Sequence, residues 1–166
     1  LRAILQDDET MWAYEGAFLE EEVQAWLQRQ LTRYREDGFG LWAVVGRESG
    51  EMIGQCGLTL QDWEDRRVPE VGYLFRRDCW HRGYATEAAR AVLNDAFGQW
   101  SARRVIAMCN PLNTRSWKLL ERLGFRREGH LRQNVYFKTD SEGSPIWADT
   151  YEYAILADEW PAQNPE

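Results

Sequence analysis

Residues 80–88 of this chain, WHRGYATEA, lead into the most regular helical pattern of the sequence. Gly98 follows that pattern where a glycine commonly ends a helix, and the apolar residues recur at the spacing of one helix face: Ala85, Ala88, Ala89, Val92, Leu93, Ala96 and Phe97. A loop that feeds a helix N-terminus presents unpaired backbone N–H groups and the positive end of the helix dipole. Such a turn binds phosphate, while Gly83 allows close approach and Arg82 adds a positive charge. The alternative is an ordinary capped turn, because this segment lacks both the P-loop lysine and the three-glycine dinucleotide spacing.

The segments around this loop predict an α/β sheet domain, and we expect residues 1–166 to form one domain. A helix that begins near Glu20 is predicted to end before Gly38, and a second one begins after Asn113 and ends at Gly124. A charged loop is predicted over 62–67, before the third strand. The predicted strands are 41–45, 52–58, 68–75, 105–109, about 129–137 and 149–156.

Composition narrows the class of protein. The chain is 44% hydrophobic and 28% charged, which is typical of a globular protein rather than a disordered one. Its formal net charge of −7 disfavours nucleic-acid binding and favours cationic partners. No apolar run is long enough to span a bilayer. The odd count of widely spaced cysteines, 3, predicts neither disulfides nor a metal site but reduced thiols in a cytoplasmic protein.

The loop resembles the pyrophosphate loop of GNAT acetyltransferases, Q/R-x-x-G-x-G/A, in the W-x-x-G-Y-A-T-E-A form of the RimJ/RimL-type branch. Residues 83–88 match that form residue by residue. Residues 69–74, PEVGYL, resemble the fourth strand of the branch, and NTRS at 113–116 with LGF at 123–125 resembles its N-x-x-S…L-G-F element. The similarity spans about residues 41–156, and the N-terminal strand of the family is not found in this chain.

The resemblance implies a GNAT fold: a mixed, mostly antiparallel sheet, splayed between two central parallel strands, with helices on both faces. It implies acetyl-CoA as co-substrate and no metal. The pantetheine arm would pair with free backbone groups of Leu74, Phe75 and Arg76. Asn113 would contact the coenzyme or simply cap its helix. The pyrophosphate would be held by the loop, through His81, Arg82, Gly83, Tyr84, Ala85 and Thr86.

The implied reaction is direct attack of a primary amine on the acetyl group, with help from a general base. Glu70 is the candidate base, because it stands where many GNAT enzymes carry a carboxylate; the alternative is an ion pair with Arg66 or Arg67. Ser116 is the one polar group on an inward helix stripe, so it is the candidate group near the coenzyme sulfur, unless it bonds its own backbone.

Leu120 occupies the position of the tyrosine that commonly serves as general acid in the family. Ser116, a water molecule, Tyr84 or Tyr151 would then replace that tyrosine. Its absence also leaves open a non-catalytic module that senses acetyl-CoA.

The acceptor is expected to be cationic. Trp12, Tyr14 and Glu15, with Asp62, could form an aromatic and acidic mouth that suits an amine. The sequence does not separate a protein N-terminal amine, which the RimJ/RimL resemblance suggests, from an aminoglycoside, a polyamine or an amino acid. A homodimer is a further possibility.

Overall fold

The structure, a computed structural model, describes residues 1–14, 16–63 and 65–160; for Trp63 it describes the backbone only. Short 3-10 turns cover Trp12–Tyr14 and Arg77–Cys79. The helices are α1 (Arg2–Leu5), α2 (Glu20–Glu36), α3 (Tyr84–Gly98) and α4 (Thr114–Arg122). The strands are β1 (Leu41–Val45), β2 (Met52–Trp63), β3 (Arg66–Phe75), β4 (Arg104–Cys109), β5 (Arg126–Val135) and β6 (Ala148–Leu156).

The strands form a 6-stranded sheet in the order β1-β2-β3-β4-β6-β5. All neighbours are antiparallel except the central pair, β3 and β4, which is parallel. That pair is joined at a single register position, Glu70 opposite Ile106. The predicted mixed sheet, splayed between two central parallel strands, is therefore confirmed. None of the described residues before Leu41 forms a strand.

Each face of the sheet is covered by helices, as predicted. We call one the α3 face: Leu58, Val71 and Val105 lie on it and pack against Val92 and Leu93 of α3 in the main core. Full burial of a leucine such as Leu58 or Leu93 contributes about 2 kcal/mol.

We call the other the α2 face, which carries Gln55, Glu70, Leu74, Ile106 and Ala154. Trp26 of α2 reaches this face and donates its indole N–H to the Gln55 side-chain oxygen at 3.1 Å. None of the helices in the described ranges is long and apolar enough to cross a bilayer.

The first correction concerns the charged loop predicted over 62–67. β2 continues to Trp63 and β3 already begins at Arg66, so that Asp62 pairs with Arg67 within one long hairpin. The prediction took a run of charges as a sign of a loop. The side chains of Asp62, Asp65, Arg66 and Arg67 are exposed, however, and backbone hydrogen bonds sustain a strand at an exposed hairpin end whatever side chains it carries.

The second correction concerns Gly98, which was predicted to lie just beyond its helix. It is instead the last residue of α3, and the cap residue Gln99 keeps a right-handed conformation while its N–H donates to the Asp95 carbonyl at 2.9 Å. The matching prediction at Gly124 is confirmed: this glycine follows α4 with a φ of +92°. β5 also begins earlier than predicted, at Arg126.

Candidate active site

A gap opens between β3 and β4 beyond their single pair. Both strands continue past Glu70 and Ile106, to Phe75 and Cys109 respectively. On its other side β3 remains paired with β2 along its whole length. The edge of β3 that faces β4 is therefore open beyond Glu70, and it offers backbone groups to a ligand.

The backbone groups that are free on this edge differ from those predicted. The Arg76 N–H donates to a β2 carbonyl at 2.9 Å. Because hydrogen-bonding direction alternates along an antiparallel strand, the groups of Leu74 also point to β2, and those of Tyr73 and Phe75 point into the gap. The Trp80 indole N–H donates to the Phe75 carbonyl at 2.8 Å. The free groups are therefore the N–H groups of Tyr73 and Phe75 and the Tyr73 carbonyl.

The predicted phosphate loop lies at the N-terminus of α3. Gly83 precedes the helix with a left-handed φ of +83°, and His81 also has a positive φ, of +61°. No backbone N–H from His81 to Thr86 donates to a described residue, and no side chain caps the helix. A Cβ atom placed on Gly83 would meet nothing within 4 Å, so the space beside the loop is open. Free donors, the helix dipole and open space together fit a pyrophosphate.

Two arginines flank this loop without an ion-pair partner among the described residues. The Arg82 guanidinium lies 5.3 Å from the centre of the Tyr84 ring, and that of Arg115 lies 4.6 Å from the centre of the Trp80 ring. Sequence reasoning missed Arg115, since it belongs to α4 and only the tertiary fold brings it to the loop. Its position directly before Ser116 in the N-x-x-S element was the one available signal.

Glu70 lies half-buried on the α2 face, where the gap begins. The predicted alternative, an ion pair with Arg66 or Arg67, is not formed. Arg66 pairs with Asp65 at 3.6 Å and Arg67 pairs with Asp37 at 3.0 Å. The Glu70 carboxylate therefore stands beside the open edge without a described cation in contact.

The surroundings of Glu70 suit a proton acceptor. Burial raises the pKa of its carboxyl group, while hydrogen bonding from Gln61 and from the Met108 backbone N–H, and the charge of Arg33, oppose that rise. Tyr14 belongs to the same environment, because burial and then the Glu70 charge raise the pKa of Tyr14 to about 12. A carboxyl pKa that moves towards neutrality is what general-base catalysis requires.

Ser116 lies on the α3 face and contacts a residue that the sequence analysis did not single out. Its hydroxyl lies 3.0 Å from the Tyr73 hydroxyl, which also lies 3.2 Å from the Ser116 carbonyl oxygen. Cys109, at the end of β4, is the third member of this cluster: burial raises its thiol pKa to about 11, and a hydrogen bond with Ser116 opposes that rise. Burial likewise raises the pKa of Tyr73. The hydroxyl and thiol groups of the cluster are therefore all protonated near neutral pH.

Asn113 caps α4, as one of its two predicted roles requires, since its side-chain oxygen accepts the Ser116 N–H at 3.2 Å. Leu120, at the position of the family tyrosine, is buried in the core. Tyr84 and Tyr151 do not join the Ser116 cluster through any described hydrogen bond. Tyr84 contacts the Arg82 guanidinium, and the ring of Tyr151 contacts Arg127, at 4.3 Å from its centre, as well as His130, with ring centres 5.0 Å apart.

The structure brings only part of the predicted acceptor mouth together. Tyr14 packs against Phe137 with ring centres 5.0 Å apart and stands near Glu70. Trp12 lies in the same 3-10 turn and is 39% exposed. Glu15 lies outside the described residues. Asp62 is far along the β2–β3 hairpin, towards its turn, so its predicted place in the mouth is wrong.

Glu152 is a further carboxylate that sequence reasoning missed. It lies on β6 opposite Met108 and is only 7% exposed. The sequence places it between Tyr151 and Tyr153, where strand alternation predicts a solvent-facing glutamate. The burial follows from the position of β6 between β4 and β5 in the sheet.

These features fit acetyl-CoA as a group that this chain binds: the loop offers free N–H donors to a diphosphate, the open β3 edge offers backbone groups to an extended amide arm, and the gap separates a carboxylate from a hydroxyl cluster. Within the described ranges, no group of three or more His, Cys, Asp or Glu side chains could hold a metal ion.

Comparisons with known proteins agree with this geometry. Residues 1–126 match the acetyltransferase (GNAT) domain family. The chain is 32% identical over 146 residues to the uncharacterized N-acetyltransferase YnaD of Bacillus subtilis, covering 88% of this chain and 79% of that protein. A GNAT-family acetyltransferase from Bacillus anthracis superposes with a TM-score of 0.75 at 28% identity, over 96% of this chain and 88% of that one.

A ribosomal-protein-S5-alanine acetyltransferase from Vibrio fischeri shares the fold, with a TM-score of 0.70 at 20% identity, over 94% of this chain and 88% of that one. The gap, the phosphate loop, the family match and the relatives all agree, and this chain belongs to the GNAT family of acetyltransferases.

Proposed function

We propose that this acetyl-CoA-dependent N-acetyltransferase uses Glu70 as the general base for an amine that arrives on the α2 face. The observation that carries the proposal is the Glu70 carboxylate at the mouth of the gap, half-buried, with a raised pKa and no ion pair among the described residues. A carboxylate whose pKa is raised holds a proton more strongly than an exposed glutamate does, so it is better suited to accept one from an ammonium ion.

The chain's own residues would divide the reaction between the two faces. Backbone N–H groups of His81–Thr86 would hold the diphosphate, and the free groups of Tyr73 and Phe75 would align the arm in the gap. When bound, acetyl-CoA supplies a thioester carbonyl that an amine can attack. Glu70 removes the proton that keeps this amine from being a nucleophile.

The hydroxyl cluster would serve the leaving sulfur from the α3 face. Ser116 and Tyr73 share a hydrogen bond of 3.0 Å, so either hydroxyl can orient the other. We assign proton donation to this pair in place of the family tyrosine, since Leu120 has no hydroxyl. Asn113 fixes the Ser116 backbone at the start of α4 and thereby positions the pair.

For the acceptor we propose a cationic amine. The protein's net charge of −7 and the Glu70 carboxylate beside Tyr14 favour a positively charged ligand. The RimJ/RimL-type loop motif supports an N-terminal amine of a protein as one such acceptor. The Vibrio fischeri structure adds the shared fold alone. A cytoplasmic location is part of this proposal, supported by three free thiols.

The test is a thiol-release assay with acetyl-CoA and a panel of amines, run in parallel on the wild type and on Glu70→Gln. We expect release only when amine is present, and a rate at least about 100-fold lower in the variant. Coenzyme affinity, measured by calorimetry, should be equal in the two proteins. Full activity of Glu70→Gln across the range from about pH 6 to about pH 9 would show that the base lies elsewhere.

A further inference from the structure

Glu152 is a mostly buried residue whose carboxylate has no partner among the described residues. It is 7% exposed, and no described residue donates a hydrogen bond to its side chain or forms an ion pair with it. Buried charges in proteins are normally paired, because the loss of water around an isolated carboxylate is costly. The oxygens of Glu152 are not among the buried, unsatisfied side-chain atoms of the described residues, so they reach solvent although the residue as a whole is 7% exposed. A carboxylate that is accessible and lacks an ion pair among the described residues can take a cationic ligand.

The positive side chain that acts on the charge of Glu152 is already engaged. Arg104, on the adjacent strand β4, binds Glu128 of β5 with 2.7 Å between Nη2 and Oε2. Its charge lowers the pKa of Glu152, yet burial, the largest influence, and Glu128 both raise it, and the balance is a raised pKa. The Glu152 site therefore keeps an unmet capacity for a cation.

Glu152 and Glu70 lie on the same face of the sheet. Glu70 is paired with Ile106, Ile106 with Ala154, and Ala154 shares the side-chain direction of Glu152 two residues earlier. Strand spacing and rise per residue place the Cα atoms of the two glutamates about 12 Å apart. Both carboxylates thus border one surface, the surface at which the proposed acceptor arrives.

The sheet surface between Glu70 and Glu152 suits an aliphatic chain. Met108 pairs with Glu152, shares its side-chain direction and is 40% exposed, so it offers an apolar surface to a ligand. On the other side, Gly129 pairs with Glu152 and has no side chain; a Cβ atom there would lie 3.7 Å from Glu152 Oε2. The approach to the carboxylate is therefore open from β5.

We propose that Glu152 binds a second positive charge of the acceptor, so that the preferred substrate is an aliphatic amine with another cationic group on the order of 10 Å from the reacting nitrogen. This inference rests on the proposed function, since Glu70 defines the reacting end. Free polyamines and peptides with a basic side chain near the N-terminus share this chemistry. A simple monoamine lacks it.

The experiment compares 1,8-diaminooctane with octylamine as acceptors for the wild type, Glu152→Gln and, as a control with the same charge change on the exposed β1–β2 turn, Glu48→Gln. We expect the KM of the wild type to be about 10-fold lower for the diamine, as one charge-assisted contact allows. Glu152→Gln should lose this preference and keep its kcat for octylamine. Glu48→Gln should behave as the wild type.

Two readouts separate this inference from the proposed function. Calorimetry of diamine against monoamine binding, with no acetyl-CoA present, should show the same preference and the same loss in Glu152→Gln. The Tm of Glu152→Gln should be close to that of the wild type, because the carboxylate has no ion pair among the described residues to lose. Equal KM values and equal affinities for the two amines in the wild type would overturn the inference while leaving Glu70 catalysis intact. A destabilised Glu152→Gln that keeps the diamine preference would overturn it as well.

A further experiment with peptides distinguishes the two possible sources of the ligand, a free polyamine and a peptide N-terminus. Two tripeptides that differ only by lysine or norleucine at the third position are offered as acceptors. A lysine preference that Glu152→Gln abolishes would identify a peptide N-terminus as an acceptor of this class; a preference confined to the diamine would identify a free polyamine. No preference in either pair would contradict the proposal.

Discussion

The two faces of the sheet differ sharply where they meet the β3–β4 gap. The α2 face carries the carboxylates Glu70 and Glu152, whose pKa values are both raised by burial. The α3 face carries the Tyr73, Ser116 and Cys109 cluster, which is neutral near pH 7. Because neighbouring residues of a strand point to opposite faces, β3 contributes to both of them, with Glu70 on the α2 face and Tyr73 on the α3 face. Groups that accept protons and groups that donate them are thereby separated by the sheet and meet only through its opening.

The largest expected effect is the loss of acetyl-CoA binding through a change on the α3 side of the sheet alone. Gly83→Glu places a bulky anion where the diphosphate is expected, so acetyl-CoA binding should fall below detection in calorimetry, whereas diamine binding to the α2 face should remain. Gly83→Ala is the matched control. Its Cβ atom meets nothing within 4 Å, and only the φ of +83° is unfavourable, at about 1 kcal/mol. Unchanged coenzyme affinity in Gly83→Glu would remove the loop from the site.

The next largest expected effect is a fall in kcat through a change on the α2 face. Glu70→Gln should lower kcat by about 100-fold or more with coenzyme affinity unchanged. In the wild type, kcat/KM should decline as the pH falls through the raised pKa of Glu70, because the protonated carboxyl group cannot accept a proton. The variant should lack this acidic limb of the pH profile. An identical limb in both proteins would assign it to another group.

A smaller fall in kcat is expected when the hydroxyl groups of the cluster on the α3 face are removed. Ser116→Ala should reduce kcat by roughly 10-fold with little change in KM, since the hydroxyl acts on the leaving group rather than on binding. Tyr73→Phe removes the other hydroxyl of the pair, and the double variant should be little worse than either single one if the two act as a unit. An equal loss of unfolding free energy in the two single variants, about 1 kcal/mol for the lost hydrogen bond, with normal kinetics would indicate a structural pair instead.

The smallest effect concerns Asn113. Asn113→Ala removes the side-chain acceptor for the Ser116 N–H and should cost about 1 kcal/mol of unfolding free energy, measured by urea denaturation. Asn113→Asp keeps a capping oxygen and should restore most of that stability. If coenzyme affinity also falls in the alanine variant and does not return with aspartate, Asn113 contacts the coenzyme directly.

The sequence predicted the elements that local patterns determine. The helix after Gly83 and the capped helix after Asn113 depend on contacts within a few residues, and both were found. Tyr73 was missed because its alternation is that of an ordinary core aromatic, and its partner Ser116 lies on a different element. Glu152 was missed because its burial depends on which strands flank β6, an outcome of sheet order that no local pattern records.

The free edge of β3 also predicts how single amide hydrogens behave. Leu74 bonds to β2, whereas the N–H groups of its neighbours Tyr73 and Phe75 face the gap. Hydrogen–deuterium exchange should therefore alternate along three consecutive residues in the free protein, slow at Leu74 and fast on either side. When an extended ligand takes the place of a missing strand, the two fast amides should slow while Leu74 stays as it was. Residue-resolved exchange would thus report occupancy of the gap even in a variant that performs no chemistry.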